Sequence, residues 1–394
     1  MTNQVKMGIY SEYINRRLSF DQISTERKNQ LKRISKIRQR DIIVYAGDSS
    51  KANAPISILP PDLLPFKDQL TYIKTKEVDI ILETPGGIAE TVEDMVELIR
   101  SKHERLGIII PGMAKSAGTI FSMAGDEILM GDASALGPID AQVVSNGKRF
   151  SADAFLDGLE KIKQEVIDTG KLNPAYIPIL QSISPGEIQH FENAQNFSKT
   201  LVKNWLSMYK FKYWESHTTS GKPVTSKEKA IRANEIANKL CKHSDWLTHG
   251  RSIRIKDLDE MGLKIRDYSK ETDLCDAIDR YYTLLRMTFD LTGIYKIFET
   301  CCSQIYQSIS QTAIPAIPLP SKIKPKVAHA NFICPKCTTQ YKVQLNLEKN
   351  VNPAPDSILY PKNDIFVCPN CATQTNISPM RLQFEAQTGL KVIF

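Results

Sequence analysis

The sequence has no uninterrupted apolar run approaching the roughly 20 residues that a membrane helix needs. The nearest stretch, residues 284–320, is broken by Arg286, Asp290, Lys296 and Glu299. No apolar segment follows the first methionine either. Residues 1–40 are polar and rich in Lys and Arg, which argues against an export signal and for a cytoplasmic protein. Internal repeats are absent. The 51 Lys and Arg are spread along the chain rather than clustered, so the net charge of +7 does not by itself point to nucleic acid or acidic lipid. Aromatic residues do not interleave with basic ones in the manner of a nucleic-acid face.

What is present fits an ordinary globular chain. The 394 residues allow two or three domains, with 24% charged and 42% hydrophobic residues. Two glycine-bearing turns stand out. Thr84-Pro85-Gly86-Gly87 follows the apolar run Val78-Asp79-Ile80-Ile81-Leu82 and opens a helix over 88–100. Ala114-Lys115-Ser116-Ala117-Gly118-Thr119 follows Gly107-Ile108-Ile109-Ile110-Pro111 and opens a second helix over 116–125. Both runs read as buried parallel strands, and residues 78–145 alternate strand and helix as βαβ units do. Glycines at a strand-to-helix turn let backbone N–H groups approach a ligand, and a helix start favours developing negative charge. A serine at the other turn is exposed at a helix N-terminus, so one pocket can hold a nucleophile beside oxyanion-stabilising donors. The competing reading is that the serine caps its helix and the glycines turn the chain.

With Ala124-Gly125-Asp126-Glu127-Ile128, Leu136-Gly137-Pro138-Ile139-Asp140 and Thr248-His249-Gly250-Arg251-Ser252-Ile253, these motifs resemble the Clp-protease/crotonase superfamily. Within it they resemble the serine-dehydrogenase-proteinase and signal-peptide-peptidase-like branches. The resemblance runs over about 42–267. It implies an α/β fold, a repeated ββα core with added helices. It also implies a serine peptidase with Ser116 as nucleophile and an oxyanion hole from the N–H of Gly86 or Gly87 and of Ala117. Homo-oligomers and a peptide or protein substrate bound as an added strand near Gly86-Gly87 follow as expectations. A crotonase-type acyl-CoA enzyme shares the paired turns but does not need a serine at 116.

A serine hydroxyl needs a base. In the Clp branch a histidine lies about 25 residues on, where this chain has Leu136-Gly137-Pro138-Ile139-Asp140 and no histidine. The signal-peptide-peptidase-like branch uses a lysine late on a long helix, made basic by burial. The matching helix here, over 186–214, brings Lys210 nearest that position, with Lys199, Lys203 and Lys212 as fallbacks. His249 is the rival base and can pair with Asp140. Lys115 reads as an electrostatic contributor at most, and Asp126 as a turn cap.

Cys334-Pro335-Lys336-Cys337 and Cys368-Pro369-Asn370-Cys371 form two CxxC knuckles separated by 30 residues. Four thiolates held at reverse turns suit tetrahedral Zn²⁺, in a closed and therefore structural site. Two disulfides or a redox pair fit less well without an export signal. Cys241, Cys275, Cys301 and Cys302 lack ligand spacing. The expected layout is a helical arm over 1–40 that packs on a neighbour, a peptidase domain over 41–270, a helical segment and Pro-rich linker over 271–325, and a zinc ribbon over 326–394. Residues 273–309 read as helical. The ribbon is expected to recruit protein or nucleic acid. In the rival reading the core is a degenerate scaffold and the ribbon does the binding.

Overall fold

The computed structural model describes residues 8–145, 148–217, 220–246, 248, 250–309 and 325–394. They fall into two units. One comprises 33–276 and 296–305, the other 1–32, 277–295 and 306–394. The expected Pro-rich linker over 313–325 lies almost wholly outside the described residues.

The first unit is α/β. Strands Asp41–Gly47, Glu77–Glu83, Arg105–Ile110 and Glu127–Met130 lie side by side and parallel. Their β-branched runs are buried on both faces, as a parallel sheet covered by helices requires. Strand Arg266–Asp267 extends the sheet on one edge. On the other side Ile294–Thr300 runs antiparallel to the first strand, with Gly47 opposite Lys296. The helical expectation for 273–309 is thus half right. Helix Thr272–Leu291 ends before Gly293, and the β-branched and aromatic residues of Ile294-Tyr295-Lys296-Ile297-Phe298 form a strand.

Opposite ends of this sheet differ in chemistry. At the N-terminal ends of the strands, buried Asp79 accepts from Arg38 Nε at 2.6 Å and from Arg40 at 3.0 Å. Glu127 takes Arg38 at 2.5 Å and Arg266 at 3.0 Å. The C-terminal ends, about 15 Å away along the strands, carry the two glycine-bearing turns. In open parallel sheets that is the end at which ligands bind.

In the second unit the N-terminal helices pack on other segments of this same chain. Arg27 donates to Thr288 at 2.6 Å, Arg280 pairs with Glu12 at 3.0 Å, and the Phe20 N–H donates to Glu385 at 2.9 Å. The amphipathic stripe is covered by the chain's own residues, with Tyr13, Ile23 and Leu31 buried. The C-terminal part is a three-stranded sheet, Val327–Ile333, Gln340–Asn346 and Ile358–Leu359, with a hairpin Ile365–Val367 and Gln374–Asn376. Helix Ser378–Thr388 closes its core, with Arg381 buried on Asp364 at 3.0 and 3.1 Å. Among the described residues no helix is long and apolar enough to cross a membrane.

A buried ion pair holds the loop beside the glycine turns. Lys296 donates to both Asp62 oxygens at 2.8 Å and to the Ser57 carbonyl at 2.9 Å, while Tyr45 and the Leu59 N–H also donate to Asp62. Removing one partner strands a buried charge, a loss of about 3–5 kcal/mol. Lys296→Met is expected to lower the urea midpoint by that equivalent, and Lys296→Met with Asp62→Asn to recover part of it. A single variant within about 1 kcal/mol of the parent would show that the pair is not structural.

Candidate active site

Thr84 joins the two turns. Its N–H donates to the Met113 carbonyl at 2.9 Å and its carbonyl accepts from the Lys115 N–H at 3.0 Å. Its methyl lies where a Cβ at Gly118 would be only 2.5 Å away, so residue 118 must be glycine for the nucleophile helix to seat. Buried Glu83 adds a bond from the Met113 N–H at 2.8 Å.

The backbone at Gly86 passes against the other turn. A Cβ there would stand 2.8 Å from the Lys115 carbonyl and 2.8 Å from the Ser116 Cβ, and the φ of +115° disfavours any side chain in its own right. Ser116 sits at the N-cap of helix Ala117–Met123 with φ 50° and ψ −115°, a conformation a non-glycine residue holds only when its surroundings impose it. Its side chain makes no capping bond, so capping is not what the serine does here.

The amides are then distinguishable. The Gly86 N–H donates to Thr84 Oγ1 at 3.1 Å and is engaged. Ile58 runs alongside, donating to the Gly86 carbonyl at 2.8 Å and accepting from the Ile88 N–H at 3.0 Å. Backbone groups alternate in direction along an extended chain, so the Gly87 N–H faces away from Ile58. Neither the Gly87 N–H nor the Ala117 N–H finds an acceptor among the described residues. On the Ile58 side the edge near Gly86-Gly87 is already paired, which leaves only the Gly87 side for an added strand.

Both turns open into one cleft of about 820 Å³. Its walls are Ser57 and Leu59 from the loop, Ile120 of the nucleophile helix, Ile139 to Gln142, and one face of helix Pro185–Trp205. That face presents His190, Ala194, Phe197 and Ser198, at helical spacing i, i+4, i+7 and i+8. Asp140 is buried in the wall and accepts from Ser151 at 2.5 Å and Gln142 at 2.7 Å.

Two sequence expectations land elsewhere or out of view. Lys210 is at the other end of the sheet. Burial lowers its pKa to about 8, and the charges it feels are Glu127, Lys264 and Asp126. The adjacent Tyr209 lies under Arg100 at 3.8 Å, and Arg100 pairs with Asp126 at 2.9 Å. Helix Ala117–Met123 points from Ser116 toward that cluster, so its full length separates Lys210 from the nucleophile. Burial lowers the Lys210 pKa, but the helix register places Lys210 at the end of the sheet opposite Ser116. His249 lies outside the described residues. His190, which the sequence reads as exposed, is exposed, and it lies at the cleft wall on the same helix face as Ala194 and Phe197. Asp126 reaches across to the neighbouring strand rather than capping its own turn, accepting from the Leu106 N–H at 2.8 Å and from Arg100 at 2.9 Å.

In the second unit the four cysteines of the knuckles come together, their ligand atoms all within 4.8 Å of one another. Cys334 and Cys371 Sγ are 3.6 Å apart, as are Cys337 and Cys368. These are not disulfide distances. They match the edges, about 3.8 Å, of a tetrahedron with 2.3 Å metal–sulfur bonds. Each knuckle repeats one pattern. Cys334 donates its N–H to the Thr339 carbonyl and accepts from the Thr338 N–H, and Cys368 does the same with Thr373 and Ala372. The group can hold a metal ion.

Residues 70–224 match the family model of the ClpP-like SDH-type serine proteinases. Two uncharacterized proteins of Methanocaldococcus jannaschii are similar. MJ1495 is 24% identical over 250 residues, covering 61% of this chain and 68% of that protein. MJ0137 is 26% identical over 214 residues, covering 54% and 59%. The chain thus spans about two thirds or less of these relatives. Among solved structures, an alanine variant of a membrane-bound stomatin-specific protease aligns at 15% identity and a TM-score of 0.32, covering 55% of this chain and 79% of that one. A second variant of that protease, in complex with a substrate peptide, aligns at 15% identity and a TM-score of 0.29, covering 52% and 65%.

Proposed function

We propose that this ClpP-like serine-proteinase core hydrolyses peptide bonds through Ser116, without ATP. The observation that carries the reading is the pair of unengaged amides, Gly87 and Ala117, beside a serine held in a conformation that serves no cap. Ser116 Oγ attacks the scissile carbonyl and its proton passes to a base. The carbonyl oxygen becomes an oxyanion that accepts from the Gly87 and Ala117 N–H groups, at the start of a helix where negative charge is favoured. Collapse breaks the C–N bond, and the leaving amine takes the proton back from the base. Water, deprotonated by the same base, then releases the acyl group from Ser116. Peptide would enter on the Gly87 side, the edge that Ile58 leaves open.

The base is proposed to be a histidine. His249, in the motif Thr248-His249-Gly250-Arg251, is the first candidate. His190, on the cleft wall, is the second. A homo-oligomer that encloses the cleft is consistent with the reading but is not required by it.

The metal is proposed to be Zn²⁺, held by Cys334, Cys337, Cys368 and Cys371. With four protein sulfurs it would close the ribbon and supply folding energy rather than chemistry. The ribbon would then recruit substrate or a partner.

A fluorophosphonate probe tests the first reading. Labelling is expected in the intact protein, absent from Ser116→Ala, retained within about twofold in Lys210→Ala and lost in His249→Gln or His190→Gln. No labelling in any form would favour a scaffold that binds through its ribbon. For the metal, elemental analysis is expected to find one zinc per chain, lost in Cys334→Ser with Cys368→Ser along with protection of residues 325–394 from proteolysis. Fluorophosphonate labelling of Ser116 is expected to persist in that variant, and full protection without metal would contradict the assignment.

A further inference from the structure

Lys115 is the one lysine of the nucleophile motif, and its side chain turns away from the cleft. Its ammonium donates to the Leu136 carbonyl at 3.0 Å, the Arg251 carbonyl at 2.9 Å and Ser252 Oγ at 3.1 Å, with the Gly250 carbonyl at 3.5 Å. Three segments distant in sequence meet there. The aliphatic stem crosses Gly137 so closely that a Cβ at 137 would stand 2.5 Å from its Cδ. Gly137 is itself pinned, exchanging bonds with Thr119 Oγ1 on the nucleophile helix at 2.8 and 3.0 Å. Leu136 pairs with Ile253 through two bonds of 3.0 Å.

All of these partners are neutral. Among the described residues no carboxylate bonds Lys115, and the charged group it feels is Arg254, itself a cation. Burial first and Arg254 second lower its pKa to about 8, so the fold carries this charge at a cost. A methionine stem would fill the same space without that cost. Its loss would also leave no buried orphan, since the Leu136 carbonyl keeps the Ile253 N–H, and residues 251 and 252 are exposed. A charge retained where stability does not ask for it points to function.

We propose that Lys115 is a positioning residue for Ser116, its ammonium locking the nucleophile turn to residues 250–252 so that the strained serine keeps one direction. The main chain shows how the lock is transmitted. Lys115 sits between the Thr84 carbonyl, which accepts its N–H at 3.0 Å, and the Gly118 N–H, which donates to its carbonyl at 2.7 Å. Reorientation of residue 115 about its Cα would break one or both bonds and would shift the Ser116 backbone that follows it. The ammonium, fixed at the far end of the side chain, resists that reorientation. Residues 250–253 would in turn be held at a set distance from the nucleophile.

This inference rests on the peptidase reading, and one series separates the two. Fluorophosphonate inactivation is resolved into probe affinity and maximal rate for the intact protein, Ser116→Ala, Lys115→Met and Lys115→Arg, each with a thermal melt. Lys115→Met is expected to melt at or above the parent temperature and to bind the probe as tightly. Its maximal rate should fall on the order of 10–100-fold, the cost of a misdirected nucleophile. Lys115→Arg, which keeps a cation for the same carbonyls, is expected to recover part of that rate. A Lys115→Met rate within twofold of the parent would overturn the proposal. So would parallel losses of melting temperature and rate that Lys115→Arg does not restore, since that is ordinary structural damage. Absence of any Ser116-dependent labelling in the intact protein would overturn the peptidase reading itself.

Discussion

A side chain at residue 86 would lie 2.8 Å from the Lys115 carbonyl and from the Ser116 Cβ. That approach of two backbones is the constraint on which the cleft depends. It needs glycine at 86, glycine at 118 to admit the Thr84 methyl, and Thr84 bonded to both sides of the second turn. Under those conditions Ser116 is pressed into a positive φ, the Gly86 amide is consumed by Thr84, and the amides of Gly87 and Ala117 are left over. The residues that carry these amides and the serine hydroxyl line one cleft. The surrounding pairs, Lys296 with Asp62 behind the loop and Lys115 with its carbonyls beside the turn, brace that arrangement from two directions.

The sheet separates this chemistry from its charges. Arg38, Arg40, Asp79 and Glu127 neutralise one another at the N-terminal ends of the strands, and Lys210 belongs to that environment. The C-terminal ends carry a cleft of mixed polar and apolar lining with few ionisable groups, Asp140 buried and hydrogen-bonded, Glu90 and His190 at its walls. Desolvation lowers the pKa of Lys210 and of Lys115 alike, to about 8 in both. A depressed lysine is therefore no guide to the base until its position is known.

That contrast explains what was legible in the sequence. The paired turns were legible because Gly86, Gly87 and Gly118 answer local demands that no neighbour can relieve, and because the apolar runs before them are buried on both faces. The cysteine knuckles were legible for the same reason, each being complete within a few residues. The base was not, because it depends on which end of the sheet each part of a long helix reaches: His190 and Lys210 lie 20 residues apart, at opposite ends of that helical stretch. The strand after Gly293 was hidden by the amphipathic helix that precedes it. What the N-terminal helices pack on was not legible because their partners, Thr288, Arg280 and Glu385, lie some 250 or more residues away in the chain.

The central claim is that Gly87 and Ala117 donate to the same developing oxyanion. It is tested most directly by a crystal structure with a peptide boronic acid, whose tetrahedral boronate on Ser116 Oγ stands in for the intermediate. The account predicts one boronate oxygen within about 3 Å of both the Gly87 and the Ala117 nitrogen. A boronate bonded to Ser116 with that oxygen turned to solvent, or bound elsewhere than Ser116, would contradict it.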